Sequence, residues 1–269
     1  MRGASRAADS DVCVCVWRLD TLGNYACNTG NCSSNVTTIL GGLRNAGTGL
    51  DTKEEVSFIQ SCSTTSCHES DFSAAVGAAA KAKLAVVVLG LLGWDMQKDG
   101  PNADPNAYEH EGHDRTSIAL PANQYKLAAD LAKNSAKTPL LCVLIHGGSI
   151  KLGSLMDDCT AIVDAWYPGQ QGGAGFADVI FGRVNPAGRS PQTYYADDTE
   201  LPKLGNMDLY AGKGTTYRYY SGKPTVPFGF GLSCECAVFP FECVACRARL
   251  TRLGRVLWQT RGSRTPTSS

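Results

Sequence analysis

Residues 71–92 decide the fold. Asp71-Phe72-Ser73-Ala74-Ala75-Val76-Gly77-Ala78-Ala79-Ala80-Lys81-Ala82-Lys83 is followed at once by Leu84-Ala85-Val86-Val87-Val88-Leu89-Gly90-Leu91-Leu92. The first half is alanine-rich and opens on Ser70-Asp71, residue types that cap helix N-termini, so it predicts a helix. The second half is a continuous run of β-branched and aliphatic residues. It does not alternate with polar residues, so it reads as a strand covered on both faces, the habit of parallel sheets.

The same pattern recurs outward. Asn35–Asn45 predicts a short helix and Glu55–Gln60 a strand. Residues 93–114, rich in Gly, Pro, Asn and Asp, predict a long surface loop. Pro121–Ser135 predicts a helix with proline in its first turn. Leu140–Ile145 reads as a second buried strand, Gly153–Asp158 as a short helix, Ala161–Tyr167 as a third strand and Gln170–Phe181 as a helix. This order implies an α/β sandwich: a mostly parallel sheet with helices on both faces, plus irregular N- and C-terminal extensions. Residues 1–19 carry no assignable element, 20–233 form the domain, and 234–269 form an Arg- and Cys-rich tail expected to be disordered.

Composition narrows the function. The chain has 269 residues, with 25 basic and 25 acidic side chains. Six Arg and two Glu lie beyond Ser233, which leaves 19 basic and 23 acidic residues before it. The body is therefore mildly acidic, which argues against a nucleic-acid binder. The longest apolar run, Leu84–Trp94, has eleven residues, against the roughly 20 that a membrane helix needs. No membrane partner is expected.

Twelve cysteines are many for a chain of this size. Cys27/Cys32 and Cys62/Cys67 form two close pairs in polar sequence, the first beside the sequons at Asn31 and Asn35. Pairs of this kind on a protein surface suggest an oxidising, secretory origin. The first 18 residues contain no apolar stretch of the signal-peptide kind. Cys243 and Cys246 are spaced as in metal or redox sites, but no histidine follows His146 and the flanking spacing is poor for zinc, so no metal and no cofactor are expected.

Ligand sites in such sheets form at the carboxyl ends of strands. The long loop leaves the end of the first strong strand and closes on Tyr108-Glu109-His110-Glu111-Gly112-His113-Asp114-Arg115-Thr116. On an extended segment Glu109 and Glu111, two apart, point the same way. A carboxyl beside a second carboxylate and a phenol is a setting in which a proton is retained for general-acid work. Asp114 and Arg115 either form an ion pair that anchors the loop or leave Arg115 for substrate. His110 and His113 lack the helical His-Glu-x-x-His spacing of a zinc site. Tyr167-Pro168-Gly169-Gln170-Gln171-Gly172-Gly173 has no phosphate-loop lysine, so its glycines are read as allowing close helix-to-sheet packing.

Taken in order, several blocks resemble the C-terminal α/β-sandwich domain of glycoside hydrolase family 3, in its β-xylosidase branch. They are Leu22-Gly23-Asn24-Tyr25, Cys62/Cys67, Val86–Leu91, Glu109-x-Glu111-Gly112-x-Asp114-Arg115-Thr116, Leu120-Pro121-x-x-Gln124, Gly147-Gly148, Tyr167–Gly173, Phe181-Gly182-x-x-Asn185-Pro186-x-Gly188-Arg189, Pro191-x-Thr193-Tyr194-Tyr195, Thr216–Tyr220 and Pro227–Ser233. The resemblance implies an exo-acting hydrolase of terminal β-linked sugars that retains configuration with two carboxyl groups. The nucleophile lies on a preceding TIM barrel and the acid/base on this domain. Glu109 is its first candidate and Glu111 the fallback, with Glu111, Asp114 and Arg115 as substrate contacts. A β-glycoside substrate and a TIM-barrel domain are the implied partners, and the cell exterior or wall the implied location.

The chain departs from the family pattern in places. Nothing before Leu22 resembles a barrel or the family's first sandwich strand, Lys151 stands where an Asp is expected, and the resemblance stops after Ser233. The chain is therefore expected to be one domain of a larger enzyme, inactive by itself. A non-catalytic sugar-binding or scaffold domain of the same fold is the alternative. A nucleotide-binding protein is least supported.

Overall fold

The computed structural model describes residues 12–16, 36–47, 55–93, 103–135 and 137–233. The Leu22–Tyr25 motif, the Cys27/Cys32 pair, both sequon asparagines and the tail beyond Ser233 lie outside the described residues.

Among the described residues, five parallel strands form one sheet: β1 (Val12–Val16), β2 (Val56–Gln60), β3 (Leu84–Gly90), β4 (Leu140–Ile145) and β5 (Ala161–Asp164), in the order β2-β1-β3-β4-β5. The helices are α1 (Ile39–Gly47), α2 (Ser73–Ala79), α3 (Ala122–Asn134), α4 (Leu155–Asp158), α5 (Gly172–Ile180) and α6 (Thr216–Tyr219).

The central strands β3 and β4 bury both faces, and their period of two divides the core. Ala85, Val87 and Leu89 of β3, with Leu140, Cys142 and Leu144 of β4, pack against α2, α3 and α4 through Ala79, Leu127, Leu131 and Leu155. Val86, Val88, Leu141, Val143 and Ile145 face the other way, onto Ile39 and Leu43 of α1 and Phe176 of α5. This double cover is what the continuous apolar runs require.

Several expectations are corrected. The first sandwich strand exists: it is β1, inside the stretch left unassigned, and it lies between β2 and β3. β5 stops at Asp164, because Trp166 takes a left-handed backbone (φ 53°) that ends the strand. Cys62 and Cys67 form a disulfide that is buried rather than superficial, and a second disulfide joins Cys142 to Cys159. The long loop is not wholly superficial, since Ala107 and Tyr108 are fully buried.

Of the glycines in residues 169–173, Gly173 serves helix-to-helix rather than helix-to-sheet packing, while Gly169 takes a left-handed backbone (φ 76°) and Gly172 lies against Pro168. A β-carbon on Gly173 would strike the Thr38 carbonyl before α1, and one on Gly42 would strike the Gly173 carbonyl. Gly173 N donates to Thr37 O (2.9 Å) at that crossing.

Gln124 explains its place in the Leu-Pro-x-x-Gln motif. Only 5% exposed, it accepts from Gly90 N (2.8 Å) and donates to Gly90 O (2.9 Å) and Thr65 O (3.0 Å). It thereby satisfies the backbone at the carboxyl end of β3, where a chain leaving a sheet would otherwise strand buried polar groups.

Candidate active site

The long loop is stitched to the end of β3. Leu92 N donates to Ala107 O (3.0 Å) and Glu109 N to Leu92 O (2.9 Å). Its base is closed by Asn106, whose Oδ1 accepts from Thr116 N (2.9 Å) and Ser117 N (3.2 Å). Asp198 adds a second tie, accepting from Ser117 Oγ (2.6 Å) and Ile118 N (2.7 Å).

Held this way, Glu109 points into the protein. Its Oε2 accepts from Gly148 N (2.9 Å) and lies 3.4 Å from Arg115 Nη2. Its Oε1 accepts from Tyr167 Oη (2.8 Å) and from Gly147 N. The glycine pair follows β4 and Tyr167 follows β5, so the ends of three neighbouring strands converge on one carboxylate. The cluster sits beside the β1/β3 switch point of the sheet rather than in it.

Every partner of Glu109 is a donor. Both oxygens are engaged, and the side chain is 14% exposed. The two glycines are needed here: a β-carbon on Gly147 would meet the Tyr167 ring and one on Gly148 the Glu109 carboxylate. Arg115, with its side chain 8% exposed, also donates to Ser117 O (3.1 Å) and Ser149 O (2.6 Å). Burial lowers the proton affinity of its guanidinium, and the Glu109 charge is the largest influence opposing that. Burial, then the adjoining Glu109 charge and hydrogen bond, push the Tyr167 phenol far above its usual range.

Glu111 occupies a different position. His110 and His113 form an antiparallel bridge, and Glu111-Gly112 is the two-residue turn between them. Gly112 has φ 78°, which such a tight turn demands. Glu111 is exposed at the tip. The expectation that both glutamates point the same way is therefore overturned: the turn separates them.

Arg115 pairs with Glu109 rather than with Asp114, which is exposed beside the turn. The histidines are occupied by backbone carbonyls, His110 Nδ1 donating to Glu111 O (2.8 Å) and His113 Nε2 to Pro105 O (2.7 Å). Among the described residues the one group with metal-type donors in reach is Cys62, Cys67 and Glu69, and its sulfurs are joined in the disulfide.

Sequence reasoning did not assign a site role to Gly147, Gly148 or Tyr167. A signal was present, since all three lie within a few residues of strand ends at the sheet's carboxyl edge.

Lys151, which replaces an expected acid, makes an ion pair of its own. Its Nζ lies 2.6 Å from Asp197, and Tyr125 donates to its carbonyl (2.5 Å).

A parallel five-stranded α/β domain with a donor-lined carboxylate and an exposed acidic turn at its strand ends defines a class: an α/β-sandwich domain. Residues 18–234 match the C-terminal domain of glycosyl hydrolase family 3, and the chain belongs to that family. A xylan 1,4-β-xylosidase of Xylanibacter ruminicola is 41% identical over 135 residues, covering 50% of this chain and 15% of the relative. β-D-xylosidase 1 of Arabidopsis thaliana is 37% identical over 179 residues, covering 64% of this chain and 21% of the relative. The chain thus spans about a fifth or less of these relatives' lengths.

Among solved structures, a family 3 exo-β-xylosidase bound to a xylobiose aziridine probe superposes with a TM-score of 0.65 at 28% identity, over 85% of this chain and 28% of that one. A β-glucosidase from Erythrobacter marinus gives 0.60 at 27% identity, over 85% of this chain and 32% of that one.

Proposed function

We propose that this chain is the acid/base-bearing domain of a retaining, exo-acting glycosidase of the β-xylosidase type, and that Glu111 rather than Glu109 protonates the departing glycosidic oxygen. The observation that carries this is the separation of the two glutamates. Glu109 already accepts from two amides and a phenol and faces a guanidinium, which leaves no site for it to offer a proton. A general acid must reach the leaving group with a proton to give. Glu111 stands exposed at the tip of a turn that Glu109 and Arg115 tie to the domain.

Each residue then has a role. Glu109 anchors the loop to the strand ends. Arg115, taken up by Glu109 and two carbonyls, is an anchor rather than a sugar contact. Asp114, exposed next to the turn, is the candidate to hydrogen-bond a sugar hydroxyl. Retention needs a second carboxylate about 5 to 5.5 Å from the first. That nucleophile comes from a barrel domain in a longer polypeptide, and the substrates are terminal β-linked sugars such as xylosyl units. Two disulfides support an oxidising, extracytoplasmic setting.

The test exchanges this domain for the matching segment of a β-xylosidase relative and follows hydrolysis of aryl β-xylosides. Glu111→Gln is expected to lower kcat/KM about 10²–10⁴-fold for poor leaving groups, and much less for activated ones, the loss expected when a general acid is removed. Full activity of Glu111→Gln, or azide rescue seen only for Glu109→Gln, returns the assignment to Glu109. Sugar binding by the chain with no turnover in any chimera supports the non-catalytic alternative.

A further inference from the structure

Behind the Gly147–Gly148 amides lies a pair with no role so far, a fully buried His146 and a partly buried Asp164. His146, the first residue after β4, is fully buried. Its Nδ1 lies 2.7 Å from Gly148 O, a carbonyl that can only accept, so Nδ1 carries a proton. Its Nε2 lies 3.1 Å from Asp164 Oδ1 at the end of β5, close enough for an ion pair although its alignment is not that of a formed hydrogen bond. The same Oδ1 accepts from Trp166 N (3.2 Å). The Trp166 ring lies 4.9 Å from the imidazole.

A bare Nε2 facing an ionised carboxylate would set lone pair against lone pair. The contact needs a proton more than a neutral imidazole and a carboxylate together hold. A buried charge of either sign is stable only when paired, and these two groups pair each other.

We propose that His146 and Asp164 are a proton-bearing positioning pair that aims the Gly147 and Gly148 amides at Glu109. His146 grips the Gly148 carbonyl, Asp164 holds His146 from the neighbouring strand, and the left-handed backbone of Trp166 brings its amide onto Asp164. The charged groups around this cradle, Asp164, His146, Glu109 and Arg115, then form two opposite pairs, with the Tyr167 phenol as a neutral donor. The proposal rests on the reading of Glu109 as an anchor, because what it positions is that anchor's cradle.

The test is nitrogen NMR of the ¹⁵N-labelled chain, which has only four histidines, 68, 110, 113 and 146. Both ring nitrogens of His146 are expected as N–H at neutral pH. In the near-isosteric Asp164→Asn, Nε2 is expected to become a bare nitrogen while Nδ1 keeps its proton. The Gly147 and Gly148 amide signals should shift together in that variant, and the Gly90 amide, which Gln124 holds, should stay in place. A bare Nε2 in the unsubstituted chain overturns the proposal. So do Gly147 and Gly148 amides that stay unmoved in Asp164→Asn. Neither readout involves turnover, so each stands or falls apart from the choice between Glu109 and Glu111 as acid.

Discussion

The Tyr167 phenol donates to Glu109 Oε1 at 2.8 Å, although the two residues are 58 positions apart in the chain. Tyr167→Phe should lower stability by about 2 kcal/mol in urea unfolding, the range for a hydrogen bond to a charged group. Because burial and Glu109 favour the protonated phenol, it should be silent in an alkaline titration. Absorbance at 295 nm up to about pH 11, just above the ordinary tyrosine range, should change by the same amplitude in Tyr167→Phe as in the unsubstituted chain.

Gln124 is buried with three hydrogen bonds, two of them to Gly90 at the end of β3. Gln124→Leu keeps the approximate volume and removes a partner from one buried amide and two carbonyls. The expected cost is about 3 kcal/mol, from unsatisfied buried groups at ~1–3 kcal/mol each. Hydrogen exchange should also quicken at the Gly90 amide.

The Lys151–Asp197 pair makes a pH prediction. The Lys151 ammonium, followed by the Thr199 bonds, holds the Asp197 carboxyl at about 2. A carboxyl depressed on folding stabilises the folded state above its unfolded value of about 3.9, and that contribution is lost as pH falls toward 2. Lys151→Met should therefore flatten the fall in melting temperature between about pH 4 and pH 2. The effect should be small and salt-sensitive, since both side chains are partly exposed.

The Cys142–Cys159 disulfide closes a 17-residue separation between β4 and the segment entering β5. The replacement of both by alanine should cost about 3 kcal/mol, as for other loops of this length. Reducing agent should then have a much smaller effect on the variant's unfolding midpoint than on that of the unsubstituted chain.

What could be read in advance follows from local chemistry. β3 and β4 were legible because a run such as Leu140–Ile145 has no polar face to offer water, so only a doubly covered strand accommodates it. β1 was not. Val12-Cys13-Val14-Cys15-Val16 is five residues long, and its cysteines suggest covalent chemistry as readily as burial. It becomes a strand because β2 and β3 pair with it from both sides, through contacts with Val56 and Leu84 that no local window contains.

The amino-acid sequence by itself determined the parallel sandwich, its family and the loop that carries the acidic residues, because hydrophobic runs, turn residues and motif order are local properties. Only the tertiary structure decided where each glutamate stands and what surrounds it. Glu109 and Glu111 are two residues apart, yet a glycine turn parts them. The donors that claim Glu109 arrive from Gly147, Gly148 and Tyr167 at the ends of other strands. A carboxylate's task depends on which donors surround it, and those donors meet only when the sheet brings the strand ends together.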